Sequence, residues 1–317
     1  QETDVIVENF RPGTMKTFGL DYETVRQRNP AVVYVSLSGY GQKTPWSSRP
    51  AFAPTVQAES GATQTQMDHF GDDLLQPVTD WASHADVYTG LEGAIAVLAG
   101  LNKRNATGTG LHGDVSMMAT MLAVNERLHA QINELDAADE PLALGAPESP
   151  IFKVADGSFV TIAASPISSG VFMRYCGMMG RNDLRTDLRF ATPALRRKNL
   201  KALLSEVQNW MRSFRSFEEL EYQVSGAGGL AVGKVRTAAD LLETDWAQSA
   251  DPTYTSLVGD LEIRLPKGPW LFNGRDSGAL SAAAPRGANN HEVLSEAGFD
   301  DATIKAWEDA GILSSDL

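Results

Sequence analysis

The sequence predicts an α/β protein that contains a parallel sheet and, after it, a smaller α+β domain. In the first part of the chain, strand and helix patterns alternate with short connections, which is typical of parallel βαβ units. From about residue 150 the pattern changes to antiparallel hairpins and short helices. A length of 317 residues is at the upper limit for one hydrophobic core, so two folded units are expected.

Three strands are predicted in the first part of the chain. Val5–Val7 is an apolar run, and Val32–Ser36 is apolar enough to form a strand that is buried on both faces. Between them, Asp21 is the expected N-cap of a short helix over residues 22–28. A third, short strand is expected over residues 114–116.

Two long helices are predicted around the third strand. The first is expected from Asp86 to about Arg104, and it carries one apolar stripe. The stripe is formed by residues at positions i, i+4 and i+7, which are Leu91, Ile95 and Leu98. The second helix is expected from Met117 to about Ile132.

The second half begins with a strong hairpin signal. Asp156-Gly157 separates two apolar runs at 151–154 and 159–162, so an antiparallel pair is expected there. Three helices are expected next, at 168–179, 193–213 and 216–225. A further hairpin at 254–265 and two short helices at 291–297 and 301–310 complete the chain. From this change of pattern we place the smaller α+β domain at residues 145–255.

The charge balance excludes several classes of partner. The chain has 27 Lys and Arg against 40 Asp and Glu, a net charge of −13, whereas nucleic acid and anionic membrane surfaces bind basic faces. The longest nearly continuous apolar stretch, residues 91–101, is too short to span a bilayer. The single cysteine, Cys176, excludes an internal disulfide framework, and five histidines without ligand spacing give no reason to expect a metal. These observations favour a reducing, cytoplasmic location.

The start of the sequence is unusual for a domain. Residue 1 is Gln, and a strand pattern begins at Asp4 without an approach segment. We therefore expect further sequence upstream. A site shared with that part would be incomplete in this chain.

Asp86 is the residue that we single out for chemistry. It is at the predicted N-terminus of the first long helix, where a carboxylate is most often an N-cap. The same position suits a carboxylate nucleophile, because nearby amide N–H groups can hold the oxyanion that forms when it attacks a carbonyl. Position alone does not decide between these two roles.

Eight segments occur in an order and spacing that resemble a known family. They are residues 7–13 (VENFRPG), 19–22 (GLDY), 38–41 (SGYG), 49–52 (RPAF), 85–90 (ADVYTG), 107–116 (TGTGLHGDVS), 187–192 (DLRFAT) and 291–294 (HEVL). Together they are similar to the class III coenzyme A transferases. That family includes the formyl-CoA and carnitine-CoA transferases and the α-methylacyl-CoA racemases, and the resemblance covers essentially the whole chain.

The resemblance implies a fold. Residues 1–144 would form an open, Rossmann-like α/β large domain, and residues 256–317 would return to it after the smaller domain. The family also implies a homodimer in which the two chains are interlocked like rings. In this scheme the first strands of the large domain, with part of the coenzyme pocket, would precede residue 1.

The resemblance also implies the chemistry. Asp86 matches the family's catalytic aspartate, which would attack an acyl-CoA thioester and later pass coenzyme A to a carboxylic acid, without a metal. Asn9, Phe10 and Arg11 match the loop that meets the nucleotide part of coenzyme A, where an aromatic face suits adenine and backbone N–H groups suit phosphate. Arg49 is a candidate phosphate partner, and an ordinary surface role is equally open to it.

Two alternative functions stay open at this point. One is an isomerase similar to α-methylacyl-CoA racemase, but racemases of the family carry a His where Phe52 stands, and a Phe side chain cannot transfer a proton. The other is a catalytically incomplete fragment whose coenzyme pocket lacks the upstream strands. No readable motif identifies the acyl donor or acceptor.

Overall fold

The computed structural model describes residues 3–64, 82–125, 132–133, 151–258, 261–276 and 284–314. The chain forms two compact units, Gln1–Gly233 and Lys234–Leu317. The finer division at residues 144 and 255 stays a prediction. Among the described helices, none combines the length and the apolar character that a bilayer crossing requires.

A parallel sheet organises the first part of unit 1. Its strands are β1 (Val5–Glu8), β2 (Val33–Ser38) and β3 (Leu111–Ser116), in the order β1-β2-β3. Both strand pairs are parallel, as the alternating pattern predicts. The middle strand is buried on both faces, and its Val33 and Val35 side chains are inaccessible to solvent.

The helices with described bounds that accompany this sheet are α1 (Thr14–Thr17), α2 (Tyr22–Arg28), α3 (Ala53–Glu59), α4 (His84–Thr107) and α5 (Met117–Ala123). The carboxylate of Asp21 accepts hydrogen bonds from the backbone N–H groups of Glu23 (3.1 Å) and Thr24 (3.3 Å), so Asp21 is the N-cap of α2, as predicted. Helix α5 begins at Met117 as predicted, but the expectation of one helix to about Ile132 is wrong, because α5 ends at Ala123 with Val124 as its C-cap. Most of the rest of the expected helix is outside the described residues.

Helix α4 packs on the sheet through its small residues. The predicted apolar stripe faces solvent instead, since Leu91, Ile95 and Leu98 are 54%, 56% and 66% exposed. The buried residues of the helix are Ala85, Thr89, Gly93 and Gly100. A Cβ atom at Gly100 would lie only 2.4 Å from Cγ1 of Val33, so the helix approaches β2 more closely than any larger residue allows.

The second part of unit 1 has its own core around a three-stranded sheet of β4 (Ile151–Lys153), β5 (Phe159–Ile162) and β6 (Val232–Lys234). The predicted hairpin between β4 and β5 is confirmed, and its strands are antiparallel. At the turn, Gly157 has a φ of +90°, a conformation that glycine adopts without strain. The helices are α6 (Ser169–Met178), α7 (Pro193–Lys198), α8 (Leu200–Met211) and α9 (Phe217–Glu221), followed by a π-helical turn, Tyr222–Ala227.

The prediction of one helix over residues 193–213 is wrong, because the helix is interrupted at Asn199, between α7 and α8. The side-chain amide of Asn199 donates to the carbonyls of Leu195 (2.9 Å) and Arg189 (3.1 Å). This local bonding offers the backbone an alternative to a continuous helix.

Buried Arg196 further fixes the orientation of α7. Its guanidinium donates to the carbonyl oxygens of Ile167 and Phe190, both at 2.7 Å, and to Oγ of Ser169 at 2.8 Å. It also lies 4.7 Å from the ring centroid of Phe172. Burial lowers the pKa of Arg196, as expected for a cation removed from water.

Unit 2 consists of short helices and hairpins. Its helices are α10 (Ala238–Leu242), α11 (Asp245–Ala250), α12 (Asn290–Glu296) and α13 (Asp301–Asp309), and its strands are β7 (Thr253–Val258), β8 (Leu261–Pro266), β9 (Leu271–Phe272) and β10 (Arg275–Asp276). The predicted β7–β8 hairpin and both C-terminal helices are confirmed. Asn273 and Gly274 both have positive φ, as the tight turn of a two-residue hairpin requires.

The glycine contact of α4 can be tested with a matched pair of variants. Gly100→Ala is expected to lower the free energy of unfolding by about 1–3 kcal/mol, because the added methyl overlaps the buried side chain of Val33. A methyl at Gly90, in the same helix, meets no atom within 4 Å, so Gly90→Ala is expected to raise stability by about 0.5–1 kcal/mol. Urea denaturation measures both, and a Gly100→Ala protein as stable as the wild type would contradict this packing.

Candidate active site

The carboxyl ends of the parallel strands bring the predicted loops to one edge of the sheet. Glu8 at the end of β1 is in register with Ser36, which in turn pairs with Asp114 near the end of β3. The loop with Asn9, Phe10 and Arg11 leaves β1 at this edge, and the segment with Arg49 follows β2. Ligands of open α/β sheets bind outside the carboxyl ends of the strands, so this edge is the candidate site.

The loop after β1 presents its side chains to solvent. Asn9, Phe10 and Arg11 are all exposed. The backbone N–H of Phe10 donates to the buried carboxylate of Glu8 at 2.9 Å, so this N–H group is already occupied. An aromatic face and a guanidinium are therefore available here for a ligand, whereas the Phe10 amide is not.

Arg49 belongs to a cluster of side chains between the β2–α3 connection and α3. Its guanidinium forms an ion pair with Glu59 and lies 4.4 Å from the ring centroid of Trp46 and 4.9 Å from that of Tyr40. The hydroxyl of Tyr40 donates to the other carboxylate oxygen of Glu59 at 2.7 Å. A phosphate at Arg49 would have to compete with Glu59. The contacts seen here therefore describe an arginine held by its protein neighbours, not a phosphate ligand. The phosphate role stays a prediction.

The same cluster changes the acidity of Glu59. The hydrogen bond from Tyr40, and after it the bond from Arg49, hold the pKa of the Glu59 carboxyl below its ordinary value. Sequence reasoning did not find Glu59, although a carboxylate that follows an aromatic and arginine-containing loop is a reasonable signal for such a cluster.

Asp86 lies in the first turn of α4, and it is not the N-cap. The helix begins at His84 with Ser83 as the N-cap, so Asp86 is its third residue and the N-cap interpretation is wrong. Its side chain is exposed. Within the described residues, the carboxylate has no hydrogen bond or ion pair, so no described neighbour neutralises its negative charge.

Among the described residues, one backbone donor around Asp86 has no partner. The N–H of His84 donates to the carbonyl of Ala82 (2.9 Å), that of Ala85 to Oε1 of Gln57 (3.2 Å), and that of Val87 to the carbonyl of Ser83 (3.0 Å). The N–H of Asp86 has no such partner in the part of the chain that the structure describes. An exposed carboxylate beside an unused amide, at the positive end of a long helix, can attack a carbonyl and hold developing negative charge.

Helix α4 brings Asp86 to the same edge as the two loops. Gly93 lies against Leu37, near the carboxyl end of β2, whereas Gly100 lies against Val33 at its start. The helix therefore runs opposite to the strand, and its first turn extends beyond the carboxyl end of the sheet. No group of three His, Cys, Asp or Glu side chains suitable for a metal occurs among the described residues.

Sequence reasoning missed Gln57, the side chain that contacts the turn of Asp86. Gln57 is on α3 and only 3% exposed. Its signal in the sequence is a polar residue one position after Val56, which belongs to the core between α3, α4 and α5. A buried amide requires a partner, and here the partner is the first turn of α4.

The fold and site define an α/β protein with a candidate acyl-transfer centre at the end of a parallel sheet. The model of CoA-transferase family III matches residues 1–290. The chain therefore belongs to CoA-transferase family III, a family of transferases that act on coenzyme A thioesters.

Similar proteins agree with this assignment. The chain is 28% identical to an acyl-CoA transferase of Fusarium pseudograminearum, over 99% of this chain and 68% of that protein. It is 31% identical to the succinate–glutarate CoA-transferase of Agrobacterium fabrum, over 60% of this chain and 46% of that protein. A crystal structure of a CaiB/BaiF family protein from Brucella suis matches with a TM-score of 0.70 and 25% identity, over 93% of this chain and 75% of that one. The chain thus spans about half to three quarters of the length of these relatives.

The Glu59 cluster gives a pH-dependent prediction. The folded protein holds the pKa of Glu59 below its ordinary value of 4.5, so the ionised carboxylate stabilises the fold. This stabilisation is fully present above pH 4.5 and is lost as the pH falls through the folded pKa. Glu59→Gln is therefore expected to melt at a lower temperature than the wild type near neutral pH, with a difference that shrinks in acid. Thermal unfolding across this pH range measures it.

The control compares the double variant Arg49→Met/Glu59→Gln with the single variant Arg49→Met. Removal of the cation should reduce the pH dependence of the Glu59 substitution, because the two side chains form one network. A melting-temperature difference that stays constant into strong acid would contradict the role given to Glu59.

Proposed function

We propose that this protein transfers coenzyme A from an acyl-CoA thioester to a carboxylic acid, with Asp86 as the nucleophile. The observation that carries the proposal is the exposed Asp86 carboxylate, without a partner in the described residues and placed at the positive end of α4. Membership of CoA-transferase family III supports the reaction class. A carboxylate can perform both half-reactions because a thioester is already activated toward attack.

In the first half-reaction, a carboxylate oxygen of Asp86 attacks the carbonyl carbon of the acyl-CoA. The carbon–sulfur bond breaks, coenzyme A leaves as a thiolate, and a mixed anhydride joins Asp86 to the acyl group. The thiolate then attacks the carbonyl carbon of Asp86 in the anhydride. The donor acid leaves as a carboxylate, and an aspartyl-CoA thioester remains.

The second half-reaction runs these steps in reverse order, with the acceptor in place of the donor acid. The acceptor carboxylate attacks the aspartyl-CoA thioester, which releases the thiolate and forms a second anhydride. The thiolate attacks the acyl carbon of the acceptor, so the product is the acceptor thioester and Asp86 returns as a carboxylate. In this proposal the N–H of Asp86, which has no hydrogen-bond partner among the described residues, donates to the negative charge of each tetrahedral intermediate.

Asn9, Phe10 and Arg11 are the proposed contacts for the nucleotide part of coenzyme A. The exposed ring of Phe10 offers a stacking face to adenine, and the guanidinium of Arg11 offers paired donors to a phosphate. Arg49 is a weaker candidate, because Glu59 already holds it.

The assembly and location of the protein belong to the same proposal. The resemblance supports a homodimer, and light scattering of the purified chain measures its mass directly. The charge and cysteine content favour the cytoplasm.

The racemase alternative receives no support from Phe52. Its side chain is 72% exposed just before α3, and it carries no group that can accept or donate a proton. Incubation with a 2-methylacyl-CoA in deuterated water decides between the reactions. Deuterium at the substrate α-carbon would favour the isomerase, and its absence would eliminate it.

Asp86→Asn is expected to lower acyl-CoA exchange by about 1000-fold or more, because an amide cannot form the anhydride. Exchange of labelled succinate into succinyl-CoA is one suitable assay, since a relative acts on succinate. Hydroxylamine should convert Asp86 of the wild type, incubated with acyl-CoA, to a hydroxamate that mass spectrometry locates.

The matched control for this substitution is Glu92→Gln, which removes a carboxylate from the same helix and is expected to keep the wild-type rate. Undiminished turnover by Asp86→Asn would refute the nucleophile. Calorimetry with coenzyme A tests the incomplete-fragment alternative, which predicts that no heat of binding is observed.

A further inference from the structure

Gln57 is a buried polar side chain whose position relative to Asp86 is unusual. Helix α3 packs against α4 and α5 through a core that contains Val56, Ala85 and Met117. Gln57 is on the same short helix and is 97% removed from solvent, at 3% exposure. An amide in such a place destabilises the fold unless it is hydrogen-bonded, so its bonding partner indicates what the residue is for.

The partner of Gln57 is the backbone of the residue before the nucleophile. Its Oε1 accepts a hydrogen bond from the N–H of Ala85 at 3.2 Å. This N–H is one of the first-turn donors that have no intrahelical acceptor, and the N-cap Ser83 does not bind any of them through its side chain. Gln57 therefore replaces a conventional cap, and it does so from a different helix.

Ala85 is held from its other side as well. Its side chain is fully buried, and its carbonyl accepts from the hydroxyl of Thr89 at 2.6 Å. With both backbone groups of Ala85 engaged, the peptide that joins it to Asp86 has little freedom to rotate. The next N–H along the chain, that of Asp86, has no partner in the described residues and can donate to a substrate oxygen.

We propose that Gln57 is a positioning residue for Asp86: it fixes the first turn of α4 so that the carboxylate and the backbone N–H of Asp86 face the reacting carbonyl together. This inference rests on the proposed function, because it assigns Gln57 a role in presenting that nucleophile. Gln57 contacts neither substrate nor the reacting atoms and acts only through the backbone of Ala85.

The expected kinetic effect is a fall in kcat with little change in KM. Gln57→Met keeps the length and approximate volume of the side chain and removes the acceptor, so kcat should drop about 10- to 100-fold through misplacement of the nucleophile. The KM for acyl-CoA should stay within about 2-fold, since the coenzyme contacts are elsewhere. Gln57→Glu keeps an acceptor oxygen and should recover a large part of kcat.

Val56→Ala is the matched control. It removes core volume from the neighbouring position of α3 and lowers stability, but it leaves the hydrogen bond to Ala85 intact, so kcat should remain near the wild-type value. A general loosening of α3 would instead lower kcat in both variants.

Amide hydrogen exchange supplies a readout that does not depend on turnover. In the wild type, the N–H of Ala85 should be protected although it is in the first turn, and in Gln57→Met it should exchange faster. An unprotected Ala85 amide in the wild type overturns the inference, even if Gln57→Met does not fold.

The outcomes separate the two proposals. If hydroxylamine traps Asp86 but Gln57→Met keeps the wild-type kcat or the wild-type exchange of Ala85, the role of Gln57 is refuted and the nucleophile stands. If Asp86→Asn retains turnover and no hydroxamate forms, the proposed function fails and the positioning role fails with it.

Discussion

The close contact between α4 and the parallel sheet determines where everything else in the site can be. Gly100 allows the helix backbone to approach Val33 at a distance that a methyl group would block, and Gly93 packs against the side chain of Leu37. The rotation and direction of a 24-residue helix are thereby fixed at two points. A rigid helix transmits that placement to its first turn, which is the turn that carries Asp86.

The site combines exposure and burial within two consecutive residues. Ala85 is completely buried, whereas Asp86 faces solvent, and this change requires that the helix cannot roll on the sheet. In the proposed reaction, the carboxylate of Asp86 first attacks an acyl carbon and its own carbonyl carbon is then attacked by the thiolate, so a fixed first turn would serve both steps. The loop after β1 presents an exposed ring and a guanidinium at the carboxyl edge of the same sheet.

Local signals in the sequence were sufficient for part of this architecture. The Asp21 cap of α2 and the Asp156-Gly157 hairpin depend on neighbouring residues, so they could be predicted. The outward orientation of Leu91 could not, because the glycines that bury the opposite face act through strands distant in sequence. Asn199 lies at the interruption between α7 and α8, and its hydrogen bond to the carbonyl of Arg189 is a contact that no periodicity reveals.

In the candidate site, too, some features could be predicted from the sequence and others depend on contacts between distant residues. Asp86 was identified by resemblance. That it is not the N-cap became evident only from the structure, in which the helix begins at His84. Gln57 on α3 accepts a hydrogen bond from the backbone of Ala85 on α4, and a contact between two helices cannot be predicted from a linear pattern. The sequence could show only that a polar residue lies among apolar ones.

Arg196 has a consequence for how the second core comes apart. Its guanidinium joins α7 to the segment at Ile167 and Ser169 and to the turn at Phe190, and all three acceptors are neutral oxygens. Lysine could not replace it, because a single ammonium does not span three diverging acceptors. Release of any one anchor would leave a cation short of an acceptor in the interior, so we expect these segments to unfold together rather than separately.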